Sequence, residues 1–76
     1  MSKNKSYIEF TEVFEGKKTS VYLVTTKSDD IIRLGIIKWH NGWRRYCFFP
    51  EAGTLFDCIY MNEIVGFIEN LMEERR

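Results

Sequence analysis

The residues best suited to chemistry crowd into one stretch, Leu34-Gly35-Ile36-Ile37-Lys38-Trp39-His40-Asn41-Gly42-Trp43-Arg44-Arg45-Tyr46-Cys47-Phe48-Phe49-Pro50. Rings interleaved with cations on a sheet can stack unpaired bases, at ~1–3 kcal/mol per base. The cations can neutralise phosphates, which makes such binding salt-dependent. The expected platform is Trp39, Tyr46, Phe48 and Tyr22, with Trp43 beside the turn and Arg33, Lys38 and Arg44 as phosphate partners. The competing reading is a hairpin whose rings pack against one another across the strands, with Phe48 covering Gly35. Trp, Tyr and Arg also anchor protein interfaces, so a protein partner is the alternative to single-stranded nucleic acid.

Other chemistry finds little support. His40 is the single histidine, and it has no carboxylate or nucleophile in a spacing that would make it a catalytic base. His40, Cys47 and Cys58 fit no zinc spacing and lack a fourth ligand, so neither a metal nor a cofactor is expected. Cys47 and Cys58 are expected to be small buried hydrophobes with free thiols. Glu9 and Glu12 point to opposite faces of a strand, which makes no acid/base pair. There is no glycine-rich phosphate loop. The chain is therefore expected not to be an enzyme.

A chain of 76 residues holds one domain with a thin margin of stability. Residues 1–6 are polar and expected to be disordered. Strands are expected at about 7–14, 18–27, 31–40 and 43–49, with a fifth at 54–56 as an open alternative. Asn41-Gly42 has the chemistry of a two-residue hairpin loop, which puts His40 opposite Trp43. Loops at Glu15-Gly16 and Asp29-Asp30 set Phe10 opposite Val21 and Leu23 opposite Ile36. These pairings collect Ile8, Phe10, Phe14, Val21, Leu23, Leu34, Ile36, Cys47 and Phe49 on one face, the expected core. Tyr22, Trp39, Tyr46 and Phe48 fall on the other, expected to be open.

From residue 57 the period changes. Met61, Ile64, Val65, Ile68, Leu71 and Met72 recur at three- and four-residue steps, which predicts a helix over about 58–74 with Asp57 as its N-cap. Tyr60, Phe67 and Leu71 widen its apolar stripe and are candidate contacts for a homodimer. The predicted fold is α+β, an antiparallel meander of four or five strands packed on one C-terminal helix.

Net charge is zero but segregated. Residues 31–50 carry Arg33, Lys38, Arg44 and Arg45 with no acid, while residues 51–76 carry six acids against Arg75 and Arg76. Such asymmetry bears on partners rather than on fold. No apolar run approaches the ~18 residues of a membrane span and none follows the N-terminus, so a cytoplasmic protein without membrane contact is expected.

The run Leu34-Gly35-x-Ile37-Lys38-Trp39, with Trp43-Arg44-Arg45-Tyr46-x-Phe48-x-Pro50, Thr54-x-Phe56 and Ile64-x-x-Phe67-Ile68, resembles small uncharacterised proteins of bacteria, phages and mobile elements. That resemblance covers residues 34–71 and implies no activity and no site residues. In topology alone, the meander and helix are similar to the single-stranded-DNA-binding fold of transcriptional coactivators, whose sheets are strongly basic where this chain is neutral. The sequence thus points to a non-enzymatic accessory protein binding single-stranded nucleic acid, with a protein-interaction module as the alternative.

Overall fold

The computed structural model describes residues 7–27 and 29–75; the expected disordered segment 1–6 lies outside them. Four strands, β1 (Ile8–Glu15), β2 (Ser20–Thr26), β3 (Arg33–His40) and β4 (Arg45–Pro50), are followed by helix α1 (Cys58–Glu74). The strands pair antiparallel in the order β1-β2-β3-β4. The fold is α+β, and α1 covers one face of an open sheet. Residues 54–57 carry no strand, so the sheet stops at four. Asp57 caps the helix, its Oδ1 accepting from the Tyr60 amide at 2.9 Å.

The face beneath the helix is the reverse of the one the loop chemistry predicts over β2, β3 and β4. Val24 and Ile37 are wholly buried, Tyr46 is buried, and Tyr22, Trp39 and Phe48 pack against them. α1 meets this surface with Ile64, Phe67 and Leu71. Val21, Leu23, Ile36, Cys47 and Phe49 lie on the helix-free face, and so does Phe14, which is 62% exposed. Cys58 is also exposed, so neither cysteine is the buried hydrophobe expected.

Two local features bear on the difference, and a third widens the β3–β4 turn by two residues without exchanging faces. On β1, Phe10 pairs with Val24 rather than Val21, because the loop is longer than Glu15-Gly16 and the register shifts between Glu12 and Phe14. A slip by an odd number of residues exchanges faces. Ile8 and Phe10 therefore share a side with Val24, and Ile8, Phe10 and Leu34 are the expected core residues that do pack under the helix. Between β2 and β3 the expected Leu23–Ile36 pair forms, but a bulge then sets Thr25 opposite Arg33 and turns Leu34 into the core.

At the β3–β4 turn His40 pairs with Arg45, so the loop spans residues 41–44 instead of two. The Arg44 amide donates to the His40 carbonyl at 2.7 Å, and Arg44 takes the left-handed conformation at φ 57°. His40 Nδ1 accepts the Trp43 amide at 3.0 Å. A Cβ on residue 42 would lie 2.9 Å from His40 Cε1, so glycine leaves room for the imidazole to fold over the loop. That side-chain bond supports the wider turn over the two-residue one.

Gly35 fixes the middle of the sheet. Its φ is +154°, and a Cβ there would collide with the Phe49 carbonyl oxygen and lie 2.8 Å from the Phe48 ring. Phe48 thus covers Gly35, as the cross-strand reading of the aromatics anticipates. Arg75 closes the far end of the helix. Its guanidinium lies 4.1 Å from the Trp39 ring centroid and donates to the Lys18 carbonyl at 2.8 Å.

Candidate nucleic-acid interface

The expected site residues divide between the two sides of the sheet. Tyr22, Trp39, Tyr46 and Phe48 are not a surface platform. Tyr22 stands edge-on to Phe67 at 5.0 Å, and Trp39 stands edge-on to Tyr46 at 5.5 Å. Phe48 meets Phe56 at 5.3 Å. The Tyr46 hydroxyl accepts the Ser20 amide at 3.2 Å, which satisfies its polar end inside the core. Desolvation, and next the Glu12 carboxylate, raise the Tyr22 phenol above its ordinary value. Tyr60, Phe67 and Leu71, the expected dimer contacts, are also used within the chain. Phe67 stacks on Phe10 at 4.1 Å, Tyr60 lies 6.5 Å from Tyr7, and Leu71 is buried.

Arg33, Lys38, Trp43 and Arg44 are exposed. Alternation from Ile37 puts Lys38 and His40 of β3, and Arg45, Cys47 and Phe49 of β4, on the helix-free face. A row of rings runs along it. His40 lies nearly parallel to Phe49, 6.4 Å away and inclined by 14°. Trp43 follows at 5.1 Å from His40 and is 65% exposed. Lys38 Nζ sits 5.0 Å above the Phe49 ring. Arg45 Nε donates to the Trp43 carbonyl at 3.2 Å, which holds a second cation beside the row. At its other end a cleft of about 250 Å³ is lined by Arg33, Ile36, Phe49 and Glu51.

The segregated charges thereby acquire a geometry. The cations of residues 31–50 stand on the open face and its turn, whereas Glu69, Glu73 and Glu74 are exposed on α1 behind the sheet. The open face also carries Glu9 and, in its cleft, Glu51, so the excess of cations is greatest around Lys38, Arg44 and Arg45. The signal for this face was present in the sequence. Lys38 and Arg45 alternate with Ile36 and Cys47, and two unpaired cations beneath a helix would cost several kcal/mol, on the order of the penalty for burying charge. His40, Arg45 and Phe49 are the members of the row that the sequence reading left out.

Among the described residues, no group of three His, Cys, Asp or Glu side chains is placed to hold a metal ion. No helix of the described chain is long and apolar enough to cross a membrane. No family model matches the chain, and no solved structure does. An uncharacterised 9.3 kDa protein of Acholeplasma phage L2 is 37% identical over 75 residues, which span 97% of this chain and 95% of the phage protein.

Proposed function

We propose that this chain, which belongs to the family of the Acholeplasma phage L2 9.3 kDa protein, is a non-enzymatic accessory protein that holds single-stranded nucleic acid on the helix-free face of its sheet. The observation that carries the reading is the row Phe49, His40 and Trp43 flanked by Lys38 and Arg45 on a face that no element of the described residues covers. Exposed rings accept bases of any sequence, and flanking cations follow the phosphates.

Fluorescence anisotropy of a labelled oligonucleotide tests this. At low salt the single strand binds, and log affinity falls against log salt with a slope of about −2 to −3, as three or four phosphate contacts on a single strand require. Trp43→Ala weakens binding by about 5- to 150-fold, the equivalent of one lost stack. No anisotropy change at low salt and high protein concentration excludes the reading.

One observation favours a protein partner on the same face. The turn end of its β1–β2 half is apolar, with Phe14 exposed beside Val21 and Leu23, while Glu9, Thr11 and Thr25 occupy the other end. In that case a pull-down with the wild-type chain captures a partner that a Phe14→Ser, Trp43→Ala variant loses, and oligonucleotides do not bind.

A further inference from the structure

Helix α1 is apolar around far more of its circumference than its own sheet covers. At about 100° per residue its apolar positions other than Ile59 span an arc of about 180°. Tyr60, Ile64, Phe67 and Leu71 form the seam against the sheet. Beside it runs a second seam, Cys58, Met61, Val65, Ile68 and Met72, spaced three, four, three and four residues apart. This is the spacing by which one helix packs along another. Ile68 and Met72 are half-buried against the chain's own core, but the rest of the seam is poorly covered: Met61 and Val65 are each 50% exposed, and Cys58 is exposed.

The second seam borders a cleft of about 360 Å³ lined by Phe48, Pro50, Phe56, Met61, Ile64, Val65 and Ile68. The cleft's outer lip is β4, an edge strand. Because the Glu51 amide donates to the Leu34 carbonyl, the hydrogen-bonded pairs alternate through Phe49/Ile36, Cys47/Lys38 and Arg45/His40. The backbone groups of Tyr46 and Phe48 therefore face outward. Pro50 falls on the same outward side, where its missing N–H costs the sheet no bond.

We infer that a second copy of this chain covers this seam, related by a two-fold axis that runs between the copies, beside the middle of β4 and the middle of α1. Two features favour a copy over an unrelated partner. Phe48 shares the cleft with Ile64, Val65 and Ile68, so the centre of the edge strand and the centre of the seam lie at one level. A single axis can then pair β4 with β4 and seam with seam, both antiparallel, as an isologous contact requires. The charges also agree. The outer flank of the seam carries Asn62 and Glu69, and antiparallel packing sets Asn62 beside Glu69 of the partner subunit, an amide next to a carboxylate instead of two carboxylates together.

Sedimentation equilibrium of the full chain without nucleic acid, across about 10 μM to 1 mM, tests the inference apart from any ligand. The expected result is a monomer–dimer equilibrium that Val65→Glu or Met61→Lys weakens at least about 100-fold, the effect of an unpaired charge in an apolar contact. Ile59→Glu is the matched control, since Ile59 is 49% exposed but lies outside the seam; it leaves the equilibrium within about threefold. Circular dichroism verifies that each variant is folded. Wild-type protein that stays monomeric throughout, a dimer that survives both seam variants, or equal loss in Ile59→Glu overturns the inference.

Discussion

Two adjacent isoleucines report which face of the sheet is the core. Ile37 is fully buried beneath α1, whereas Ile36 is half-buried on the helix-free face. Shortening each to valine removes the same methyl group. At Ile37 the lost transfer free energy is about 0.8 kcal/mol, and a residual cavity among Val24, Ile64 and Tyr46 raises the cost to about 1–1.5 kcal/mol. At Ile36 part of the methyl is already in water and no closed cavity forms, so the cost stays below about 0.5 kcal/mol. A domain of this length is worth roughly 4–11 kcal/mol in all, so both variants remain folded. Urea unfolding followed by circular dichroism reads the difference. With a slope near about 1 kcal/mol per M, Ile37→Val lowers the midpoint by about 1 M or more and Ile36→Val by less than about 0.5 M. Equal shifts, or a larger one at Ile36, refute the assignment of faces.

Three further outcomes follow from the same packing. Gly35→Ala destabilises by more than about 2 kcal/mol, because the new Cβ meets the Phe49 carbonyl oxygen and the Phe48 ring at a φ that alanine rarely adopts; thermal unfolding measures it. Arg75→Ala costs about 1–2 kcal/mol through the lost Trp39 contact and the bond to the Lys18 carbonyl, and amide exchange quickens first in the last turn of α1. Tyr22 has its pKa raised by desolvation and then by Glu12, so the folded state keeps its proton where the unfolded chain has begun to lose it. Its contribution is intact below pH 10, the ordinary phenol value, and is lost as pH rises through the higher folded value. Tyr22→Phe makes the alkaline fall in stability shallower in pH-dependent urea unfolding, and an unchanged fall contradicts this.

The element plan could be read from the chain because each boundary has its own chemistry. The three- and four-residue apolar steps marked α1, and Asp57 marked its start. Face assignment failed because both sides of the hairpins are apolar enough to serve. Leu34-Gly35-Ile36-Ile37 offers isoleucine to either side, so alternation alone does not choose between them. The choice was made by features that local pattern does not encode: a bulge that turns Leu34, a β1 slip at Glu12–Phe14, and Phe10, Tyr22 and Phe67 meeting as three rings. The cations were the readable counter-signal, since Lys38 and Arg45 share the side of Ile36. The ring row itself was partly hidden, because its continuity depends on His40 folding back over a four-residue loop that Asn41-Gly42 disguised as a two-residue turn.

The most direct test of the whole account is nuclear magnetic resonance mapping of the protein titrated with a short single-stranded oligonucleotide at low salt. Perturbations that concentrate on the Trp43 indole, the His40 and Phe49 rings and the amides of Lys38 and Arg45, and that pass over Trp39, Tyr46 and Phe48, are the predicted result. Shifts centred on Trp39 and Tyr46, or none anywhere, contradict it.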